Sequence, residues 1–209
     1  RQDSPFPEDE KSVIVAAVKS DKLLENAPVR LAYREFTPSA ETDQLPVILI
    51  HGSPGDSSNL VELAKTLSRT RRVIVPDLPG FGDSTANIPD YSFRAHAFYL
   101  RQFADRLAVE KFHVLGFSMG GGAALNLERI APERIASIEM VSADGVQEYE
   151  LLGDYHLNHV LHGAQFTAFW SLQNLVPHFG YFDGALFGTS YAANFYDSDQ
   201  RPLREILQK

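Results

Sequence analysis

Four short apolar runs, separated by segments with helical spacing, constrain the fold of this chain more than any other feature. The runs lie at residues 47–50, 73–75, 112–116 and 135–141. Between them, the segments 57–67, 92–107 and 119–130 repeat apolar residues every three or four positions, which is the period of one helix face. Strands that are apolar throughout are typical of a parallel sheet covered on both faces. The pattern therefore predicts an α/β fold, a mostly parallel sheet with helices on both faces.

The two ends of the chain depart from this alternation and suggest three regions. In residues 1–28 an acidic run after Pro7 suits the start of a helix, although a strand is also possible. Residues 29–36 alternate and predict an antiparallel edge strand. The C-terminal region carries 12 aromatic residues and several glycine breakers, without a clear strand. We predict an N-terminal arm or helix over 1–28, a core over 29–144 and an aromatic-rich helical cap over 145–209.

Charge and composition exclude several classes of function. The chain has 19 Lys and Arg against 27 Asp and Glu, a net charge of −8, so its surface repels phosphate backbones and nucleic acid is not an expected partner. Because there is no cysteine, disulfides, thiolate metal sites and cysteine nucleophiles are excluded. No apolar run approaches the ~18–20 residues that span a bilayer. We expect a soluble domain, cytoplasmic or exported after loss of a leader upstream of Arg1.

The strongest chemical signal is the G-x-S-x-G sequence Gly116-Phe117-Ser118-Met119-Gly120. It follows a predicted strand and precedes a predicted helix. Small residues on both sides permit a turn sharp enough to lift a serine hydroxyl clear of the sheet. The helix that begins behind the serine points free N–H groups and the positive end of its dipole toward it. These are the conditions that stabilise an oxyanion formed at a serine.

Two further glycine-rich loops follow predicted strands. The segment 51–56, His-Gly-Ser-Pro-Gly-Asp, comes directly after the run 47–50 and can bring one backbone N–H near Ser118, where an oxyanion hole needs two such donors. We interpret His51 in this loop as structural. The segment 77–84, Asp-Leu-Pro-Gly-Phe-Gly-Asp-Ser, is by itself a proline and glycine turn. The glycine run at 120–122 lacks the Lys-Ser/Thr of a phosphate-binding loop.

In this order and spacing the three segments resemble the α/β-hydrolase fold, over roughly residues 29–145. The segment 77–84 is similar to the family's D-x-x-G-x-G-x-S segment. The resemblance implies that Ser118 is the nucleophile and that the backbone N–H groups of Ser53 and Met119 form the oxyanion hole. It also implies a helical cap, no cofactor and no metal. Serine, where similar dehalogenases and epoxide hydrolases have aspartate, favours acyl substrates.

The resemblance is incomplete at the C-terminal end. Similar hydrolases place an acid and a histidine after the cap, whereas this chain reaches Lys209 within the predicted cap, without the family's last strands. We expect the catalytic histidine beyond Lys209, in a longer protein or in a separate C-terminal fragment. Alternatively, Asp144 is the acid and a cap histidine is the base. The candidates for that base are His156, His159, His162 and His178, and we interpret the first three as a helix face rather than a metal site.

The sequence thus predicts a serine hydrolase that cleaves a carboxylic ester, a thioester or a related acyl bond. The expected substrate is a small to medium apolar molecule, which forms an acyl-enzyme on Ser118. Phe169 and Trp170 are the leading candidates for one wall of an apolar pocket. The alternative is a catalytically silent protein of the same fold that binds a ligand or a partner. The oligomeric state is not indicated by any of these features.

Overall fold

A computed structural model describes residues 10–143, 154–175, 189–199 and 201–208 of the chain. The strands are β1 (Glu10–Lys19), β2 (Lys22–Phe36), β3 (Val47–Ile50), β4 (Val73–Pro76), β5 (Phe112–Phe117) and β6 (Ile135–Val141). The helices are α1 (Val61–Leu67), α2 (Phe93–Arg106), α3 (Met119–Ile130), α4 (Tyr155–Leu175), α5 (Thr189–Asp197) and α6 (Arg201–Leu207). Two 3₁₀ turns, Ser57–Leu60 and Pro132–Arg134, precede α1 and β6.

The six strands form one sheet in the order β1-β2-β4-β3-β5-β6. The pairs β4–β3, β3–β5 and β5–β6 are parallel, whereas β1–β2 and β2–β4 are antiparallel. This confirms the predicted α/β fold with a mostly parallel sheet. The predicted edge position of residues 29–36 is wrong, because β2 lies between β1 and β4. In the described part of the chain no strand follows β6, which forms the second edge.

The N-terminal region forms a hairpin and not the helix favoured by its acidic run. Val13, Val15 and Ala17 point inward in alternation, and β-branched residues favour this extended pattern over a helix. Ser20 and Asp21 close the turn with positive φ angles of 48° and 67°, which matches the twist of a two-residue hairpin loop. This hairpin supplies the antiparallel side of the sheet.

A side chain of α2 fixes the irregular point of this hairpin. The register of β1 shifts between Ala16 and Ala17. There the backbone N–H of Ala16 donates to Oε1 of Gln102 over 3.0 Å, and Nε2 of Gln102 donates to the carbonyl of Ala16 over 3.1 Å. The Gln102 amide therefore pairs with both polar groups of Ala16, as a neighbouring strand would.

Both faces of the central strands are buried. On one face Val47, Leu49 and Val73 pack with residues of α1. On the other face Ile48 and Ile74 belong to the larger core that includes residues of α2 and α3. Successive residues of a strand point to opposite faces, so the continuous apolar runs follow from a sheet that is covered twice.

The described part of residues 145–209 is helical, but some of its helices pack directly against the core. Leu203 of α6 is fully buried in the larger core, and α6 packs on α3. Asn194 and Asp197 of α5 hydrogen-bond to the backbone of Tyr91, just before α2. The last two helices therefore pack against the core near α2 and α3. No helix in the described part combines the length and the hydropathy that crossing a membrane requires.

Candidate active site

Ser118 occupies the single residue between β5 and α3. Its backbone angles are φ 51° and ψ −123°, and a positive φ is uncommon for a residue with a β-carbon. The N–H of Ser118 donates to the carbonyl of Val141 in β6 over 3.1 Å, and the carbonyl of Ser118 accepts from Gly121 over 2.9 Å. These bonds hold a strained strand-to-helix turn, as predicted from the glycine pattern.

The Ser118 turn requires α3 to begin very close to the end of β3, and Gly120 permits this close approach. A β-carbon at Gly120 would lie 2.5 Å from the carbonyl oxygen of Ile50 and 2.8 Å from that of His51. Both obstacles are backbone atoms, which cannot rotate away. Glycine at position 120 therefore lets the N-terminus of α3 reach the carboxyl end of the sheet, where Ser118 lies.

The loop after β3 lies directly against Ser118. A β-carbon at Gly52 would lie 2.8 Å from the β-carbon of Ser118, so Gly52 brings the backbone of this loop next to the serine. The following peptide, Ser53–Pro54, is cis. Met119 is the first residue of α3, and the N–H of a first helical residue has no acceptor within its helix. The two predicted oxyanion donors, Ser53 and Met119, thus belong to the two segments that meet at Ser118.

His51 is a structural residue of this loop, as predicted. It is fully buried; Nδ1 lies 2.8 Å from the carbonyl oxygen of Gly52, and Nε2 accepts the N–H of Leu78 over 3.0 Å. Since Nε2 accepts, the proton is on Nδ1, which donates to Gly52. Burial lowers the pKa of His51 below its ordinary value, which favours this neutral form.

Asp77 organises the loop after β4. Its Oδ1 accepts the N–H of Ser57 over 2.7 Å, and its Oδ2 accepts the N–H of Asp83 over 2.8 Å. The Ser84 hydroxyl donates to the Asp77 carbonyl over 2.6 Å and accepts the N–H of Ala32 over 2.9 Å. The conspicuous segment 77–84 therefore joins the loops after β3 and β4 to β2. Its buried carboxylate has a structural role that the sequence did not reveal.

A capping box fixes the end of the loop after β3. The Asp56 side chain accepts the N–H of Ser58 over 2.8 Å, and Oδ1 of Asn59 accepts the N–H of Asp56 over 3.0 Å. Such reciprocal bonds satisfy N–H groups at a helix start. The sequence analysis did not predict this cap, although an aspartate followed three residues later by an asparagine is a signal that could have indicated it. The loop is thus anchored at both ends, by His51 and by Asp56.

A cavity of about 370 Å³ opens beside Ser118. Its lining carries no charge and consists of Gly52, Ser53, Pro54, Asn59, Leu60, Phe117 and Ser118. Phe117 is 40% exposed and contributes an aromatic surface next to the serine. The volume lies within the range of pockets that take small molecules, which are largely apolar with a few polar groups. This arrangement can admit a neutral substrate to the Ser118 side chain.

The fold described above is that of a known protein family. A family model for the alpha/beta hydrolase fold matches residues 46–203, which include the Ser118 turn and the loops after β3 and β4. The chain belongs to the α/β-hydrolase family. This match confirms the resemblance drawn from the three loop motifs.

Individual relatives of this α/β hydrolase match over shorter stretches. The dihydrolipoyllysine-residue acetyltransferase component of the acetoin cleaving system of Pseudomonas putida is 35% identical over 103 residues, 49% of this chain and 28% of that protein. The 2-hydroxy-6-oxo-6-phenylhexa-2,4-dienoate hydrolase of Burkholderia cepacia is 32% identical over 105 residues, 48% of this chain and 37% of that protein. The α/β hydrolase thus spans well under half the length of these two curated relatives.

Solved structures share the fold at lower sequence identity. A thermophilic esterase from Thermogutta terrifontis superposes with a TM-score of 0.63 at 20% identity, over 93% of this α/β hydrolase and 72% of the esterase. A likeness at this identity concerns the architecture.

The structure of this α/β hydrolase brings together only some of the predicted site residues. Ser118, Ser53 and Met119 meet at the turn, but the cavity lining contains no described residue from the predicted cap. Asp144 and His178 lie outside the described residues. Trp170 is on α4 and 56% exposed, and Phe169 is its neighbour on the same helix. Their role as a pocket wall stays a prediction.

Three of the four predicted cap histidines lie on one helix. His156, His159 and His162 belong to α4, and the His159 ring stacks on Tyr196 of α5 with 4.4 Å between centroids. Within the described ranges, no three His, Asp or Glu side chains gather in a way that holds a metal ion. The described lining of the Ser118 cavity contains no His, Asp or Glu either.

Proposed function

We propose that this α/β hydrolase is a serine hydrolase that cleaves ester-type bonds through an acyl-enzyme on Ser118. The observation that carries the proposal is the strained Ser118 turn, which lies at the start of α3 and lines an uncharged cavity. Strain of this kind persists where the surrounding structure enforces it, and it is concentrated at functional sites. The helix start adds N–H groups and a positive dipole end beside the serine.

The chemistry would proceed in two acyl-transfer steps. The Ser118 hydroxyl attacks the carbonyl carbon while a base takes its proton, and the carbonyl oxygen becomes an oxyanion. The backbone N–H groups of Ser53 and Met119 bind this oxyanion. Collapse of the intermediate releases the alcohol or thiol, which receives the proton from the base. Water then attacks the acyl-enzyme by the same route, which releases the acyl group as a carboxylic acid and returns the proton to the Ser118 hydroxyl.

The cavity favours a small to medium substrate without charge. Pro54, Leu60 and Phe117 provide apolar surface, and no lining side chain is ionisable as an acid or base near neutral pH. We propose that the bond cleaved is of the ester type, and the names of two similar proteins support this choice. The Burkholderia cepacia relative is named as a hydrolase of a dienoate, and the Thermogutta terrifontis structure is named as an esterase. Both names are compatible with attack of a nucleophile on a carbonyl group.

The base and the acid of the proposed site come from outside the described lining. We propose a histidine beyond Lys209, in a longer protein or in a separate C-terminal fragment. This matches the short span of the chain relative to its curated relatives. Asp144, three residues after the end of β6, is the alternative acid, with a histidine of α4 as the base. Without a base the Ser118 hydroxyl stays protonated and is a poor nucleophile at neutral pH.

The test compares three proteins in parallel: the full-length protein that contains these residues, its Ser118→Ala variant and the 209-residue chain. We expect the full-length protein to hydrolyse p-nitrophenyl acetate. Ser118→Ala should remove nearly all of this turnover, because the covalent route is lost. The 209-residue chain alone should be nearly inactive. Equal turnover by the full-length protein and Ser118→Ala would end the serine hydrolase proposal.

A second candidate function is binding without catalysis. It is favoured by the absence of a His, Asp or Glu from the described lining of the Ser118 cavity. The activity of the 209-residue chain by itself distinguishes a site completed by Asp144 and a histidine of α4 from a site completed by residues beyond Lys209. Strong turnover by a homogeneous 209-residue chain would point to Asp144 with a histidine of α4, whereas a full-length protein that binds esters but leaves them intact would support the binding function.

A further inference from the structure

Helix α4 has an exposed apolar stripe on the side that faces away from α5. On its inner side, His159 and Phe166 stack on Tyr196 of α5, with ring centroids 4.4 Å and 6.3 Å apart. The stripe lies on the opposite side, within about 120° of the helix circumference. Its six members are apolar and exposed: Leu157, Val160, Ala164, Ala168, Leu172 and Leu175. Contiguous exposed apolar surface of this kind is typical of an interaction site.

The sequence of this stripe is nearly symmetric about its middle. Each member on one side of residue 166 has an apolar counterpart at the same distance on the other side. The pairs are Leu157 with Leu175, Val160 with Leu172, and Ala164 with Ala168. The position that corresponds to Leu161 is Ser171, the one polar residue in the pattern. Large side chains therefore lie toward both ends of the helix, and small ones lie at its centre.

A stripe with this symmetry is complementary to a second copy of itself. Across a twofold axis, a residue i of one copy contacts a residue j of the other, and j contacts i in return. Two antiparallel α4 helices that cross near residue 166 bring large side chains together at the ends. At the crossing, the small side chains of Ala164 and Ala168 let the two backbones approach closely. Antiparallel packing also places the positive end of each helix dipole beside the negative end of the other.

We propose that two copies of this protein associate through α4, packed antiparallel along the stripe. The proposal is independent of the serine hydrolase function, because association requires no catalysis. Each 209-residue chain carries a net charge of −8, so two copies repel each other in general. The 21 residues of α4 include no Asp, Glu, Lys or Arg. Contact along this helix therefore removes no acidic or basic side chain of α4 from water, and interface cores are depleted of charge in the same way.

A lipid surface is a poorer match for the stripe than a second copy. Helices that lie in a membrane interface are rich in Lys and Arg on their polar face, and α4 has neither. The net negative charge of the chain also repels anionic headgroups. The symmetry of the stripe favours the same chain over an unrelated protein, which has no reason to repeat it.

The size of the stripe predicts a weak and reversible dimer. A helix of 21 residues is about 32 Å long, and a contact about 10–12 Å wide covers on the order of 300–400 Å² per copy. Standard interfaces bury about 800 Å² per partner, and smaller ones are typical of transient complexes. We therefore expect a dissociation constant on the order of 10–100 μM.

Sedimentation equilibrium of the full-length protein tests the association. The parent should change from monomer to dimer between about 1 and 500 μM. Ala164→Glu should raise the Kd of the dimer about 10-fold or more, because it places two carboxylates at the crossing, where they lose water. Position 164 is exposed, so the melting temperature of the monomer should not change. Leu63→Glu puts a carboxylate at an exposed apolar position of α1; it is the matched control and should keep the Kd of the parent.

Disulfide cross-linking tests the antiparallel pairing separately. The 209 residues contain no cysteine, so in a background without other cysteines each introduced thiol reports on one position. An equal mixture of the Leu157→Cys and Leu175→Cys proteins should form cross-linked dimers faster than either protein alone. The pairing brings position 157 of one copy next to position 175 of the other, whereas two identical positions lie at opposite ends of the helix, beyond the reach of a disulfide.

Three results would overturn the proposal. The first is a parent that stays monomeric up to about 500 μM. The second is the same Kd for Ala164→Glu and the parent, which would place the contact elsewhere on the surface. The third is a mixture of the two cysteine proteins that cross-links no faster than each protein alone. A raised KM in Ala164→Glu with unchanged association would assign the stripe to the substrate, and it also contradicts the proposal.

Discussion

The backbone N–H of Leu78 donates a hydrogen bond to Nε2 of His51 over 3.0 Å. This bond joins the loop after β4 to the loop after β3, and the other ring nitrogen holds the carbonyl of Gly52. The imidazole ring of His51 also makes an edge contact with the Phe81 ring, with centroids 5.6 Å apart. One neutral ring thus fixes the path of the backbone that lies against Ser118.

We predict that His51→Ala lowers both stability and activity. The change leaves a buried N–H at Leu78 and a buried carbonyl at Gly52 without this partner, so the free energy of unfolding should fall by about 2–4 kcal/mol. The kcat for an ester should fall because the loop loses its anchor. Urea titration and ester kinetics measure the two effects. His113→Ala removes a histidine whose Nδ1 pairs with Ser137; it is the control and should affect kcat little.

Gly120→Ala should disrupt the turn itself. Its β-carbon would meet backbone oxygens of Ile50 and His51 at 2.5 Å and 2.8 Å, so α3 must move away from β3. We expect a loss of about 3 kcal/mol in the free energy of unfolding. Gly163→Ala in α4 is the matched control, because its nearest neighbour is a ring carbon of Tyr196 at 3.0 Å. That control should change stability by less than about 1 kcal/mol, and equal losses in the two variants would refute the role of Gly120.

His96 should make the protein less stable in acid. Burial lowers the pKa of His96 to about 3, whereas an unfolded histidine titrates near pH 6.5. Between these values the unfolded chain binds the extra proton, so stability falls as the pH falls from about 6.5 toward 3. From pH 7.5 to 5.0 this one group should remove about 2 kcal/mol.

His96→Phe tests this pH dependence by removing the titrating ring from the core. Urea unfolding at pH 7.5 and 5.0 should show about 2 kcal/mol less acid destabilisation in the variant than in the parent. Phe103→Leu, which alters the same core without a titrating group, should keep the pH dependence of the parent. An identical loss of stability in His96→Phe and the parent would contradict the prediction.

Trp170 tests the predicted pocket wall. Its side chain is 56% exposed, so Trp170→Ala should change the free energy of unfolding by less than about 1 kcal/mol. If the cap lies over the substrate, KM for a long-chain p-nitrophenyl ester should rise about fivefold, the effect of about 1 kcal/mol of lost apolar contact. Leu175→Ala on the same helix, 79% exposed, is the control. Equal KM values in the two variants would remove Trp170 from the pocket.

The parallel strands were predictable because burial on both faces leaves a direct trace in the sequence. The runs at 47–50 and 73–75 lie on β3 and β4, in which every residue is buried. The N-terminal hairpin escaped prediction because its turn uses Ser20 and Asp21 at positive φ, where glycine or asparagine is the usual signal. β2 is an interior strand because β1 pairs with its outer side. Since β1 was not predicted as a strand, residues 29–36 were wrongly predicted to form the edge of the sheet.

The site was predictable where geometry demands glycine and not where it depends on distant partners. The spacing of Gly116, Ser118 and Gly120 requires a sharp turn, which the structure contains. By contrast, the role of Asp77 arises from backbone N–H groups of Ser57 and Asp83. These N–H groups reach the Asp77 carboxylate only in the tertiary fold, so no local sequence pattern predicts the contact.

The pairing of Gln102 with Ala16 has a consequence for the order in which the chain folds. The β1–β2 turn is local and can close early, but the register beyond Ala16 depends on a side chain 86 residues away. We therefore expect that part of the hairpin to reach its final pairing only after α2 has docked. In the folded protein, we expect amide exchange at Ala16 to follow the opening of the α2 interface, so that a residue of the outermost strand reports on the interior.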